Sequence, residues 1–357
     1  MSNIINDNLR QQKSRIDWID VAKGIGIILV VFSHLAFRAT QYSVAVVFSF
    51  HMPLFFFLSG IVFSNKDSFK TFLLKRIRSL YIPFLVFLII DYFIYFIFNY
   101  DSILVTDFLI TFLRQCIGYD LVSDAYLFNG PIWFLCALFF SEICFYFISK
   151  LHNAFIWLSV LIGIIGTYFI RFNLPFGIGY IFSSTIFLSL GFLSKDFLIK
   201  LAEKINKYLC LIILVVSITL VSFLTIFNDS VSMRSFDYGN IGLFLINAIL
   251  GTAGILALSV FLRNVKILEF FGQNSIIILC LHLYFNRRFF PFIFELLGID
   301  DIYLKNIFVQ LIIILLVFTI MWFIIKFVNR YLYFLFGKSK SVNPQKNKQI
   351  LSENINN

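Results

Sequence analysis

The sequence predicts an all-α fold, a polytopic integral membrane helix bundle with about ten transmembrane helices and both termini on the cytoplasmic side. Three observations lead to this prediction. Of the 357 residues, 60% are apolar and only 13% are charged, and the mean hydropathy is +0.91, far above that of a soluble domain. The apolar residues gather in runs long enough to cross a bilayer. The basic residues gather between alternate pairs of runs.

The predicted crossings are apolar runs separated by charged, Asn, Gly or Pro residues. They are 20–38, 44–63, 79–99, 131–149, 154–170, 175–193, 208–227, 241–261, 270–286 and 304–328. A weaker run at 103–117 contains Asp107, Arg114 and Gln115. This composition favours an interfacial or re-entrant helix over a crossing.

The basic residues set the predicted orientation. With 103–117 excluded and the N-terminus inside, the inside segments hold 22 of the 29 Lys and Arg residues, as the positive-inside rule requires. Counting 103–117 as a crossing would reverse every later loop. The prediction is therefore one membrane domain at 20–330, a cytoplasmic tail at 1–19 and a cytoplasmic, disordered tail at 331–357.

Several other classes of protein are disfavoured. The basic residues are scattered between apolar runs, so the net charge of +10 reflects topology and does not indicate nucleic-acid binding. The five cysteines form no CxxC pair and are interpreted as packing thiols, so no metal site is predicted. No cleavable signal peptide is expected, since the polar start leads into a full-length apolar run.

Ionisable side chains inside apolar runs are costly and mark candidate functional sites. In the first run, eleven residues separate Lys23 from His34, so the two side chains project from one helix face about 16 Å apart. A structural alternative is that Lys23 reaches the lipid headgroups and His34 makes an interhelical hydrogen bond.

The second run and the loop after it supply further candidates. His51 lies near the outer end of the run, where a helix cap at the interface or a hydrogen bond to a neighbouring helix is the structural alternative. Arg76 and Arg78 follow in the segment KRIRSLYIP. Two guanidinium groups ahead of a proline-containing helix suit an anionic group such as a phosphate, although a positive flank alone would also explain them.

Polar residues in later runs are candidates for substrate binding. Trp133 begins one run, where a place in the interfacial aromatic belt is the alternative, and Glu142 is a charge within the same run. The short loop SMRSFDYGN places Arg234 where it could contact a polar substrate.

The run LEFFGQNSIIILCLHLYF contains Asn274, Ser275 and His282. Seven residues, two helical turns, separate Ser275 from His282, so these two share a face. A polar face on such a helix must look toward protein or a water-filled cavity.

Together these segments resemble acyltransferase family 3, and within it most closely the branch of fucose 4-O-acetylases and polysaccharide O-acetyltransferases. The resemblance covers roughly residues 15–330, and its five segments occur in order. They are DVAKGIGIILVVFSH (20–34), FHMPLFFFLSG (50–60), KRIRSLYIP (75–83), PIWFLCALF (131–139) and GQNSIIILCLH (272–282).

The resemblance implies a ten-span enzyme of the bacterial cytoplasmic membrane. Such an enzyme takes an acetyl group from cytoplasmic acetyl-CoA and places it on a sugar hydroxyl of a surface polysaccharide or its lipid-linked precursor. The essential histidine of the family corresponds to His34, and its basic pair to Arg76 and Arg78. Lys23 stands where the family often has arginine, which keeps the charge and loses the bidentate fork.

Chemistry assigns roles that agree with this resemblance. A neutral imidazole can take the hydroxyl proton near neutral pH, and His34 is the choice. Lys23, Arg76 and Arg78 would hold the phosphates of acetyl-CoA. His51, Asn274 and His282 are the candidate donors to a developing oxyanion, and the substrate candidates are Trp133, Glu142, Arg234, Asn274 and Ser275. Direct transfer and an acetyl-histidine intermediate both stay open.

Two other functions stay open. A polysaccharide exporter or flippase subunit would move glycan without consuming acetyl-CoA, although the sequence shows no internal repeat typical of many transporters. A structural or sensor protein would use its intramembrane polar groups only to join helices. Membrane lipids are expected partners in every case.

Overall fold

A computed structural model describes residues 16–35, 41–99, 104–119, 121, 129–172, 174–228, 231–298 and 306–338. Within these ranges the chain is helical, and its only extended pairing is an isolated antiparallel bridge between Ser232 and Asp237. The predicted fold class, an all-α polytopic bundle, is confirmed.

The helices follow one another as α1 (Asp17–Ser33), α2 (Gln41–Phe48), α3 (His51–Val62), α4 (Phe69–Arg76), α5 (Ile82–Asn99), α6 (Val105–Cys116), α7 (Trp133–Ile148), α8 (Asn153–Phe169), α9 (Ile178–Lys204), α10 (Lys207–Thr225), α11 (Ile241–Phe261), α12 (Lys266–Gln273), α13 (Ser275–Tyr284), α14 (Phe290–Leu296) and α15 (Ile307–Tyr331). Two five-residue π-helical segments join consecutive helices. Ile77–Tyr81 links α4 to α5, and Phe285–Phe289 links α13 to α14.

Seven helical segments of the described chain are long and apolar enough to cross a membrane, or eight if α12 and α13 count as one broken crossing. The other two predicted crossings correspond to α1 and α8, which have 17 residues each, about 25 Å of helix. The number ten and the orientation stay predictions. Helix α6 has 12 residues, about 18 Å, which is shorter than the hydrocarbon core.

The helices differ in how deeply they lie in the bundle. In the crossing Tyr42–Val62, 78% of the most apolar window is buried, whereas in α10 only 22% is buried. Helices α2 and α3 therefore form the centre, and α10 lies at the periphery with its apolar side chains facing outward. In a membrane those outward side chains contact lipid tails.

Helices α1 and α12 approach closely because glycines meet at their crossing. A Cβ on Gly24 would lie 2.1 Å from the carbonyl oxygen of Leu268, and a Cβ on Gly272 would lie 1.7 Å from the carbonyl oxygen of Asp20. No side chain fits either position. This contact brings the polar start of α1 against the end of α12.

The predicted crossing 270–286 is not one straight helix, because α12 and α13 meet at an angle of 79°. Asn274 separates them with φ −118° and ψ 16°, outside the helical region. Its side-chain Nδ2 donates to the carbonyl oxygen of Phe270 at 2.7 Å. The bend places Asn274 and Ser275 at the head of α13 instead of in mid-helix.

The predicted tail from residue 331 onward begins with ordered structure. Tyr333–Phe336 forms a turn of 3₁₀-helix after α15, and Phe336 is buried. Residues 339–357 and 1–15 lie outside the described residues, so the predicted disorder of the C-terminal tail and the place of the N-terminal tail stay predictions there.

Candidate active site

Two polar pockets lie against the first helix, one near each end. The first, the Lys23 pocket, has a volume of about 240 Å³ and includes Lys23, Arg76 and Glu142. The second, the His34 pocket, has a volume of about 170 Å³ and includes His34, His51 and Arg234. The eleven-residue spacing read from the sequence therefore separates two pockets.

Five of the predicted site residues meet in the Lys23 pocket although they come from four separate segments of the chain. They are Lys23, Arg76, Glu142, Asn274 and Ser275. The close crossing of α1 and α12 and the bend at Asn274 bring the first and last of these segments together. A site of this composition can bind an anion through its cations and orient it through amide and hydroxyl groups.

Two ion pairs organise the charges in this pocket. Arg76 Nε lies 2.6 Å from Glu142 Oε2, and Glu142 is 2% exposed while Arg76 is 26% exposed. Lys23 Nζ lies 3.9 Å from Asp20 Oδ1. Glu142, predicted as a substrate residue, thus holds the guanidinium of Arg76 in the pocket wall. An anionic ligand would compete with that carboxylate for Arg76.

The two arginines of the predicted basic pair lie at the junction of α4 and the π-helical segment Ile77–Tyr81, two residues apart and therefore on different faces of the helix. Arg76 lines the Lys23 pocket, whereas Arg78 is exposed and is not among the residues lining the pocket. Pro83 follows this segment and has no N–H to donate to the preceding turn, and a π-turn is a common way for a helix to absorb such a disruption. Only one of the two guanidinium groups therefore faces the pocket.

His34 and His51 line the His34 pocket, and His282 packs against His34 without lining the pocket. The ring of His34 lies 5.5 Å from that of His282 and 5.7 Å from that of Phe48, measured between centroids. Phe48 in turn lies 4.9 Å from His51. The structure thus brings together the three predicted catalytic histidines, which come from α1, α3 and α13.

Backbone contacts determine the tautomers of two of these histidines. Nδ1 of His51 lies 2.8 Å from the carbonyl oxygen of Val47, and Nδ1 of His282 lies 2.9 Å from that of Leu279. Because a carbonyl oxygen only accepts, both Nδ1 atoms carry the hydrogen. In the neutral rings Nε2 is then an acceptor, so either histidine donates to an oxyanion only when it is protonated.

Asn274, the third predicted oxyanion donor, lines the Lys23 pocket and not the pocket of His34. Arg234 is the guanidinium that lines the His34 pocket. Its Nε donates to the carbonyl oxygen of Leu121 at 2.9 Å, and its Nη1 lies 2.6 Å from where a Cβ on Gly130 would be. Glycine at position 130 therefore leaves the room that the Arg234 head group occupies.

Trp133 is buried and lines the His34 pocket. Its ring lies 5.0 Å from that of Tyr180, whose hydroxyl donates to the carbonyl oxygen of Arg234 at 3.0 Å. Tyr180 also stacks on Phe236 at 4.6 Å. The aromatic contacts thus hold the segment 232–237, which includes Arg234, against the pocket.

A thin apolar wall separates the two pockets. On α3, Met52 lines the His34 pocket and Phe55 lines the Lys23 pocket, three residues and about 4.5 Å apart along the axis. On α7, Trp133 lines the His34 pocket and its neighbour Phe134 lines the Lys23 pocket. The pockets therefore lie back to back, with α1 alongside both.

Sequence reasoning missed a buried carboxylate in the middle of an apolar run. Asp91 on α5 is fully buried and accepts from the hydroxyl of Tyr284 at 2.5 Å and from the backbone N–H of Asn129 at 3.0 Å. Asn129 also donates through its side chain to the carbonyl oxygen of Cys280. The sequence does indicate this residue, because Asp91 interrupts the apolar run LVFLIIDYFIYF and an intramembrane carboxylate marks a candidate site.

Lys338 was also missed, since it lies in the segment predicted to be a disordered tail. It lines the Lys23 pocket. Gly337 just before it is the sequence feature that indicates an ordered turn here, because a glycine after a helical turn is a common C-terminal cap.

The described residues contain no group of three or more His, Cys, Asp or Glu side chains placed to hold a metal ion.

Comparison with known proteins identifies the family. The chain matches a family model described as an acyltransferase domain over residues 16–326, so the match includes both pockets except for the C-terminal segment. Neither the curated proteins nor the solved structures include a significant match. The resemblance found in the sequence is thereby confirmed at the level of the family. The chain belongs to acyltransferase family 3 and is a membrane acyltransferase built from apolar helices.

Proposed function

We propose that the protein transfers an acetyl group from acetyl-CoA to a sugar hydroxyl of a surface polysaccharide or its lipid-linked precursor, in the bacterial cytoplasmic membrane. The observation that carries the proposal is the pair of back-to-back pockets along α1. One contains cations suited to the phosphates of the donor, and the other contains imidazoles suited to proton transfer. The positive-inside bias supports a cytoplasmic Lys23 pocket.

In the proposed reaction the sugar hydroxyl oxygen attacks the thioester carbonyl carbon while the imidazole of His34 takes the hydroxyl proton. The tetrahedral intermediate collapses with loss of the coenzyme A thiolate, which takes up the proton from His34. The products are the sugar acetate and free coenzyme A. Arg234 is the group in the His34 pocket best suited to stabilise the oxyanion, since its guanidinium donates in every protonation state at neutral pH.

Two routes lead across the wall between the pockets. In direct transfer, the thioester arm of the donor passes the wall beside Met52 and Phe55 and reaches the acceptor hydroxyl. In the stepwise route, a histidine nitrogen of the His34 pocket attacks the thioester carbonyl carbon and coenzyme A leaves as its thiolate. The sugar hydroxyl then attacks the acetyl-histidine, the histidine leaves as the neutral imidazole, and the hydroxyl proton ends on the thiolate. The cluster of His34, His51 and His282 supports either route, because each neutral ring has a nitrogen lone pair.

The test is the acetate content of surface polysaccharide, measured by proton NMR in a deletion strain. The strain is complemented with wild type, His34→Ala or His152→Ala at matched protein level. His152 is a suitable control because it is exposed, caps α8 and lies in neither pocket. We expect wild type and His152→Ala to restore the acetate signal and His34→Ala to leave it absent.

Equal acetylation in the deletion strain and in all complemented strains would contradict the proposal. If the deletion instead kept acetylated glycan inside the cell and lost it from the surface, the result would favour the exporter function. A third outcome, in which His34→Ala lowers the melting temperature of the purified protein in parallel with acetylation, would favour a structural role for the histidine cluster.

A further inference from the structure

The chain after the last long helix folds back onto the Lys23 pocket. This segment, the C-terminal hook, comprises residues 332–338. Phe336 is buried and its ring lies 6.2 Å from that of Phe87 on α5, and both Phe336 and Lys338 line the pocket. The hook is therefore a wall of the pocket rather than a free continuation of α15.

Gly337 determines where the hook ends. Its φ of +64° is in the left-handed region, which favours glycine, and a Cβ there would lie 2.8 Å from the backbone oxygen of Arg78. The N–H of Gly337 donates to the carbonyl of Phe334 at 3.2 Å, and that of Lys338 to the carbonyl of Tyr333 at 3.1 Å. This cap turns the chain so that Lys338 reaches the pocket.

Two amide side chains hold the ammonium group of Lys338. Its Nζ donates to Asn274 Oδ1 at 2.6 Å and to Asn329 Oδ1 at 2.9 Å. Asn329 Nδ2 also donates to Asn274 Oδ1 at 2.9 Å. The residue that bends α12 away from α13 is therefore the same residue that positions this cation.

The three cations of the pocket differ in the contacts that hold them. Arg76 forms an ion pair with Glu142, and Lys23 lies near Asp20, so an anion that approaches either must compete with a carboxylate. The amide oxygens of Asn274 and Asn329 that contact Lys338 are neutral, and an anion displaces them at a lower electrostatic cost than it displaces a carboxylate. Lys338 therefore adds a third cation to the pocket, beside Lys23 and Arg76, to which an incoming phosphate can bind.

We propose that Lys338 is a binding residue for the phosphate groups of the acyl donor and that the C-terminal hook completes the donor site. This inference rests on the proposed function, which places the donor in the Lys23 pocket. It predicts that the chain beyond α15 contributes to donor affinity. It also extends the site past residue 326, where the family match ends.

The experiment measures coenzyme A binding to the full-length protein in detergent micelles by isothermal titration calorimetry. Lys338→Gln is compared with wild type, with Lys338→Arg, and with Lys326→Gln as the matched control. Lys326 is an exposed lysine on α15 that does not line the pocket. Loss of one charge-assisted hydrogen bond to phosphate should weaken binding about tenfold in Lys338→Gln, with near wild-type affinity in Lys338→Arg and Lys326→Gln.

Pantetheine, the donor arm without phosphates, separates phosphate binding from a merely structural role. We expect its affinity to be equal in wild type and Lys338→Gln, and the melting temperature of the two proteins to be close. If Lys338→Gln weakens coenzyme A and pantetheine equally and lowers the melting temperature, Lys338 only fastens the hook, and the inference is overturned.

Two further outcomes distinguish this inference from the proposed function. If wild type binds coenzyme A and Lys338→Gln binds it equally well, the role of Lys338 is contradicted while the donor assignment stands. If wild type binds no coenzyme A at all, the donor assignment fails and the inference fails with it.

Discussion

The two pockets along α1 differ in how their polar groups are held. In the Lys23 pocket the charges are joined in ion pairs and amide contacts, and they come from α1, α4, α7 and the C-terminal hook. The His34 pocket instead holds His34 and His51, packed against Phe48 and, for His34, against His282 behind the pocket lining. Backbone carbonyls fix the rings of His51 and His282. The first arrangement suits recognition of a charged donor, and the second suits proton transfer.

On the proposed function, this difference would divide binding and chemistry between the ends of one helix. Changes in the Lys23 pocket should then alter donor affinity with little effect on turnover. Changes in the His34 pocket should alter turnover with little effect on donor affinity. The following variants test that division and the helix contact on which the Lys23 pocket depends.

The largest expected effect is that of His34→Ala. Removal of a general base lowers the rate of acyl transfer by about 10²–10⁴-fold, while coenzyme A affinity should stay within about twofold of wild type since His34 does not line the Lys23 pocket. Transfer of labelled acetate in membrane vesicles and calorimetry on purified protein measure the two quantities. A parallel loss of both would contradict the division between the pockets.

Gly272→Ala should break the Lys23 pocket by separating α1 from α12. The added Cβ would lie 1.7 Å from the backbone oxygen of Asp20, and no rotamer relieves that overlap, so we expect a loss of about 3 kcal/mol in stability. The readout is the melting temperature in detergent. Gly242→Ala is the control, because its Cβ would meet only the Asn240 side chain at 3.2 Å. Equal melting temperatures for Gly272→Ala and Gly242→Ala would show that the helix crossing is looser than described.

Asp91→Asn should slow transfer about tenfold without weakening donor binding, given the usual strength of a hydrogen bond to a charged group. Asp91 accepts from both Tyr284 and Asn129, and an amide turns one acceptor into a donor, so one contact is lost. Tyr284 follows His282 by two residues, and the loss should displace the ring of His282. Tyr284→Phe should act in the same direction, whereas Tyr168→Phe on the exposed face of α8 should not. An effect of Asp91→Asn confined to coenzyme A affinity would contradict this account.

The smallest expected effect is that of Arg78→Gln. Because Arg78 is exposed and does not line the pocket, its removal should change coenzyme A affinity less than twofold, against about tenfold for Arg76→Gln. Calorimetry on the two variants compares them directly. Equal losses of coenzyme A affinity in the two variants would indicate that both guanidinium groups bind the donor, as the sequence alone predicts.

Much of the site could be predicted from ionisable residues that lie within apolar runs of the sequence. Lys23, Glu142 and His282 stand out because ionisable groups are costly within apolar runs, and each lies at or beside a pocket. The same rule applies to Asp91, which the sequence analysis passed over. Lys338 could not be found this way, since a lysine in a polar tail costs nothing there and only its contacts distinguish it.

The sequence by itself determined the class of fold, the family and most of the candidate residues, because hydropathy, charge bias and local motifs depend on neighbours along the chain. Only the tertiary structure decided which candidates share a pocket. That result depends on glycines that let α1 touch α12, on an asparagine that bends α12 from α13, and on a glycine cap that turns Lys338 inward. Such contacts are decided by steric fit in three dimensions, which a linear pattern does not encode.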